Sequence, residues 1–147
     1  MRRTVALGLA LAAMTTPARA DAPTGMYVDK MDGGLAVVVD THTGLTWLRD
    51  ASPYIALIDA PSWCSAKGAG WIVPTFTELA TLHDVTRAVG TEAMIDSVHF
   101  PKTPLISFWT SSRTRPANLP LTVGFEGPGA GLNDRDPKLP VRCVKRP

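Results

Sequence analysis

The sequence predicts an α+β domain with a mostly antiparallel sheet, two short helices and long loops. Three observations carry this reading. β-rich runs open the chain, a capping box starts a helix at Thr75, and strand-like runs return at residues 106–112, 121–126 and 141–145. Strands, then helices, then strands again is the order of an α+β fold. With 147 residues, 45% hydrophobic and 19% charged, the chain has room for one core and too few charges to be wholly disordered.

Each element has its local cause. Met26, Tyr27 and Val28 precede a turn at Asp32, Gly33 and Gly34, and a β-branched run at 35–40 follows, which is a hairpin signal. A second turn at 41–44 leads into Leu45, Thr46, Trp47 and Leu48, where Leu45 and Trp47 alternate against Thr46 and Leu48, so the opening is a β-meander. Pro61 suits a first helical position and Gly68 can end a helix, which predicts a short helix carrying Trp63 and Cys64. Thr75 and Glu78 form a capping box, and Phe76, Leu79, Ala80 and His83 share one face, so a helix is expected over 75–87. The three later strand-like runs are separated by Pro- and Gly-rich loops such as 126–131, the natural place for binding.

Residues 1–20 read as a cleavable secretory signal: Arg2 and Arg3, then an apolar run from Val5 to Met14, then the small-residue exit Ala18, Arg19, Ala20. The apolar run is about ten residues, too short for the roughly 20 of a spanning helix, so no membrane span is expected. Residues 21–25 would be a flexible tail and 26–147 the domain. Removing the leader leaves 12 basic against 13 acidic residues. They are polarised, with 4 Lys/Arg and 10 Asp/Glu over 21–101 and 8 Lys/Arg and 3 Asp/Glu over 102–147. Pairing of the two halves within one fold is the simpler expectation, and a basic docking face is the alternative. No block of five basic residues and no nucleic-acid-reading motif occurs, so nucleic acid is not an expected partner. An exported chain with two cysteines predicts one Cys64–Cys143 disulfide, a staple and not a reactive site. The cysteines lie too far apart for a C-x-x-C redox motif, and the three histidines are scattered, which disfavours zinc.

A resemblance runs from about residue 36 to 146. It rests on Val39 and Asp40, the run Thr43-Gly44-Leu45-Thr46-Trp47, Ala60 with Trp63 and Cys64, and Gly70-Trp71-Ile72-Val73-Pro74-Thr75 leading to Glu78 and Leu79. It continues through Ile95-Asp96, Phe100-Pro101, Phe108-Trp109-Thr110-Ser111-Ser112 and Val141-Arg142-Cys143-Val144-Lys145. Together these resemble the Lcl C-terminal domain family, named for the C-terminal domain of a Legionella collagen-like surface protein. The resemblance implies a C-type-lectin-like fold, also that of the formylglycine-generating enzymes, and a helix-to-final-strand cysteine pair similar to Cys64 and Cys143. It also implies an exported bacterial protein or surface module, the name-giving member being an adhesin for sulfated polysaccharide. The chain departs where the family has Trp-Arg-Leu-Pro, with Ile72 at the arginine and Val73 at the leucine, and Pro61 interrupts the first-helix pattern.

The expected function is therefore a secreted or periplasmic binding module for a surface glycan or an envelope protein, without catalysis or cofactor. An envelope enzyme and a structural partner of an envelope assembly are the alternatives, and the oligomeric state is left open. Sugar rings stack on indoles, and of Trp47, Trp63, Trp71 and Trp109 the choices for an exposed platform are Trp71 and Trp109, although framework packing is the stronger expectation for all four. Arg113, Arg115, Arg135 and Lys138 are the candidate acidic-ligand contacts because they sit on or beside long loops, while Arg142, Lys145 and Arg146 complete the basic half. Asn133, Asp134 and Asp136 offer oxygen donors for calcium, but the companion element of sugar-binding C-type lectins is missing, so a solvated turn is the better reading. His42, His83 and His99 with Asp40, Asp84 and Asp96, and Ser111 with Ser112, are the available catalytic parts, and no local signature joins them.

Overall fold

The computed structural model describes residues 22–87, 90, 92–127, 130–132 and 137–147. The predicted leader at 1–20 and the calcium candidates Asn133, Asp134 and Asp136 lie outside them, as does Arg135. The chain runs through β1 (Tyr27–Asp32), β2 (Leu35–Asp40), β3 (Thr46–Leu48), a 3-10 turn (Leu57–Asp59), α1 (Ala60–Ser65) and α2 (Phe76–Ala80). β4 (Ser107–Arg113), β5 (Pro120–Gly124), β6 (Ala130–Leu132) and β7 (Val144–Lys145) follow. One sheet has the order β1-β2-β3-β7 and the other β4-β5-β6, and every pairing is antiparallel. This is the expected α+β architecture.

The β1–β2 hairpin closes on Gly33 and Gly34, at φ 56° and 86°, because a two-residue turn that matches strand twist needs positive φ at both positions. The next turn is held by a carboxylate. Asp40 is fully buried, and it accepts from the backbone N–H of His42 and Thr43 and from the Thr43 hydroxyl at 2.7 Å. That is the physical content of the Asp40…Thr43-Gly44 run. Pleating then divides the core: Val38, Trp47, Phe108 and Val144 enter one apolar cluster, while their neighbours Val37, Leu48, Trp109 and Cys143 enter a second.

Two expectations need correction. α2 covers five residues, not 75–87, although its capping box forms as read, with Thr75 Oγ1 accepting from Glu78 N and Glu78 Oε2 accepting from Thr75 N. Beyond Ala80 the backbone tightens to i→i+3 bonds at Leu82 and His83, and Met94 O captures the Asp84 N–H, which ends the helical run. β6 falls partly within the 126–131 segment read as loop, since its Gly and Ala carry no strand signal and pairing with β5 makes the strand.

The last residues tie both sheets and α1 together. Cys143 bonds to Cys64 across 79 residues of sequence. Trp109 donates to Pro140 O, Ser52 donates to Val141 O, and Ile72 and Val144 exchange backbone bonds. Arg142, one of the basic residues of the second half, is fully buried. Its Nη1 donates to Leu48 O and Arg49 O, its Nη2 donates to Thr103 Oγ1 at 2.8 Å, and its guanidinium lies 4.9 Å from the Phe100 ring centre. Burial pulls its pKa down to about 10, with Asp50 acting the other way, so it stays charged at neutral pH. R142M keeps bulk but leaves three acceptors unpaired, and urea denaturation should show a loss of roughly 2–5 kcal/mol; a loss below about 1 kcal/mol would contradict this role.

Candidate functional site

The β4–β5 hairpin is shaped by what β4 gives up. Trp109 pairs with Thr122 and Arg113 with Pro120, so four steps on β4 oppose two on β5. The extra residues turn toward α2: Ser111 donates its N–H and hydroxyl to Pro74 O, and Ser112 Oγ accepts from Phe76 N at 2.9 Å. Such a bulge re-aims the strand end. Its tip is closed by Thr114, whose N–H donates to Leu119 O and whose hydroxyl accepts from Leu119 N. Arg113 reaches across the tip and donates to Asn118 O at 3.1 Å. Arg113 and Arg115 both remain exposed.

At the foot of this hairpin lies a groove of about 400 Å³, with Leu57, Ile58, Pro61, Val73 and Thr110 in its wall and Arg113 among its lining. Ile58 is 84% exposed there. An apolar floor with a guanidinium beside it can hold the hydrocarbon face of a ligand while pairing its anionic substituent.

The other basic residues divide sharply. Lys145 pairs with Asp32 at 2.9 Å and Arg146 with Glu78 at 2.6 Å, so with Arg142 the final basic cluster serves the fold. Lys138 is exposed. Among the described residues, Arg113, Arg115 and Lys138 have no carboxylate partner, nor do Lys30, Arg49, Lys67 and Lys102, but Arg113 and Arg115 are the two that share one hairpin.

The aromatic platform is corrected. Trp71 is 3% and Trp109 1% exposed, both in the second apolar cluster, and the Trp109 indole N–H donates to Ile55 O at 2.9 Å. Indoles locked into a core present no face to a sugar. The tryptophan that reaches the surface is Trp63, half-buried, with Lys67 Nζ 4.1 Å from its ring centre. Ala60 and Cys64, four apart, point inward, and Trp63, three from Ala60, packs at the edge of the same cluster with part of its indole left to solvent.

Of the catalytic parts, His83, Asp84 and Asp96 border one cavity, while His42 with Asp40 and Ser111 with Ser112 lie elsewhere. His99 Nδ1 lies 3.0 Å from Asp96, His83 Nε2 lies 3.1 Å from Gly127 O, and the His42 N–H serves the Asp40 turn. Neither Ser111 nor Ser112 hydrogen-bonds to a histidine, both being committed at the α2 entry. No group of three or more His, Cys, Asp or Glu able to hold a metal occurs among the described residues.

Glu78 joins α2 to the C-terminus. The hydrogen bond from Arg146 holds its carboxyl below the usual range against partial burial, and bonds from Thr75 add to this. Burial opposes ionisation of Asp96, but bonds from His99 and Ala22 outweigh it and lower that pKa as well. A lowered carboxyl pKa stabilises the fold above the unfolded value of about 4.3, and that contribution is lost as pH falls through the folded value. Thermal denaturation of E78Q should show a deficit of about 1 kcal/mol or less at pH 7, shrinking as acidification protonates Glu78 in the folded protein. A deficit that grows on acidification would contradict the assignment.

The motif residues that build this framework are also those by which the chain compares with known proteins. The model of the Lcl C-terminal domain matches residues 36–145, from β2 through β7. No curated protein sequence and no solved structure matches the chain. With three quarters of its length inside that match, the chain belongs to the Lcl C-terminal domain family.

Proposed function

We propose that the chain is an exported, non-catalytic binding module of C-type-lectin-like fold that holds an acidic surface glycan at the β4–β5 hairpin. The observation that carries this reading is the division of the basic residues. Arg142, Lys145 and Arg146 are committed within the fold, while Arg113 and Arg115 stand exposed, with no carboxylate partner among the described residues, on one hairpin beside an apolar groove. Arg113 would pair with a sulfate or carboxylate, Arg115 and Lys138 would add attraction, and Arg135 lies in the same stretch of sequence. Export through cleavage of residues 1–20 is supported by the Cys64–Cys143 disulfide. No helix among the described residues is long and apolar enough to cross a membrane. Family membership supports a binding module in place of an enzyme.

The test is retention of the exported protein on immobilised heparin, a sulfated glycan, across a salt gradient. Wild type should bind at low salt and elute as screening rises. R113A/R115A should weaken binding about fivefold to tenfold. Absence of retention at low salt, or equal retention of the variant, would overturn the assignment and favour an envelope protein as the partner.

A further inference from the structure

A second cavity, of about 290 Å³, lies under the N-terminal segment, away from the hairpin residues. Its lining includes Met26, Tyr27, Leu82, His83, Asp84 and Asp96. Tyr27 comes from β1, which precedes the stretch matched by the family model. The cavity is therefore walled in part by residues that precede the family match.

Tyr27 is the unusual group here. It is only 7% exposed, its ring packing edge-on to Phe100 at 5.3 Å and tilted against His99 at 5.5 Å. Its phenol makes no hydrogen bond among the described residues although it borders the cavity. The hydroxyl is not sealed in the core but opens on the cavity, so a ligand group there can take the place of water as its partner.

The charge of the lining selects the occupant. Asp84 and Asp96 border the cavity, and no Lys or Arg does so among the described residues. Arg87 bonds to Asp84 at 3.3 Å but also to Glu92 at 3.1 Å, so its charge is shared. His99 pairs with Asp96, and His83 is turned to Gly127 O. Burial raises the Tyr27 pKa, and Asp40, Asp96 and Asp84 raise it further, so the phenol stays neutral within a negative field. That field repels an anion and attracts a cation.

We propose that this cavity is a binding site for a small amphipathic organic cation, an alkylammonium whose chain lies along Met26 and Leu82 and whose ammonium donates to the Tyr27 oxygen near Asp84 and Asp96. A volume at the lower end of small-molecule sites suits a ligand of roughly six to ten non-hydrogen atoms. The site is separate from the glycan surface, and its test does not depend on that reading.

The experiment is amide chemical-shift titration of the whole exported protein with hexylammonium, 1-hexanol and hexanoate. Hexylammonium should give saturable shifts at Leu82, His83 and Thr86. Hexanol should bind about tenfold more weakly and hexanoate more weakly still. Y27F removes only an unbonded hydroxyl, so the fold should persist while hexylammonium affinity falls about threefold to tenfold. Equal binding of hexanol, tighter binding of hexanoate, no saturable shift, or unchanged affinity in Y27F would each overturn the proposal. If Y27F fails to fold, the comparison of the three probes on wild type decides it.

Discussion

The buried guanidinium of Arg142 constrains the whole molecule because its charge has left water with no direct ion pair to a carboxylate among the described residues. Such burial persists only where fixed acceptors converge, and here Leu48 O and Arg49 O at the end of β3 and Thr103 Oγ1 from the second half supply them. Chain segments far apart in sequence are thereby fixed to one side chain. Cys143, the next residue, is bonded to Cys64, so α1 is fastened at the same point. In the loop-entropy account, closing 79 residues is worth about 4.5 kcal/mol before native strain is subtracted.

This arrangement explains the polarised charge. Lys145 and Arg146 each find an acid from the other half of the chain, Asp32 and Glu78, and Arg142 finds carbonyls. Pairing between halves accounts for the end of the sequence. It does not account for Arg113 and Arg115, because the β4 bulge directs Ser111 and Ser112 to the α2 entry and leaves the hairpin tip outside that network. The same framework that neutralises one set of cations leaves the other to solvent.

Much of the fold was legible because local physics decided it. Gly33-Gly34 specified a tight hairpin, Thr75 with Glu78 specified a helix start, and a single pair of cysteines specified the bridge. The length of α2 was not legible, since Met94 O, distant in sequence, captures the Asp84 N–H. The burial of Arg142 was hidden too, since an arginine among basic neighbours looks solvated until its acceptors are placed. Trp71 and Trp109 carried the opposite ambiguity: indoles suit both cores and sugar platforms, and tertiary packing chose the core. Tyr27 gave no sign of lining a cavity, because the segments around it meet only in the fold.

The central claim is that residues 139–146 lock the molecule into one cooperative unit, and native-state hydrogen exchange tests it most directly. The amides of Leu48, Ser52, Ile72, Trp109 and Val144 bond to or from this run. They should all exchange with the same free energy, equal to that of global unfolding. Exchange of the Ser52, Ile72 and Trp109 amides through a cheaper opening, with Asp40 and Leu79 still protected, would show that the C-terminal run detaches on its own and would contradict the account.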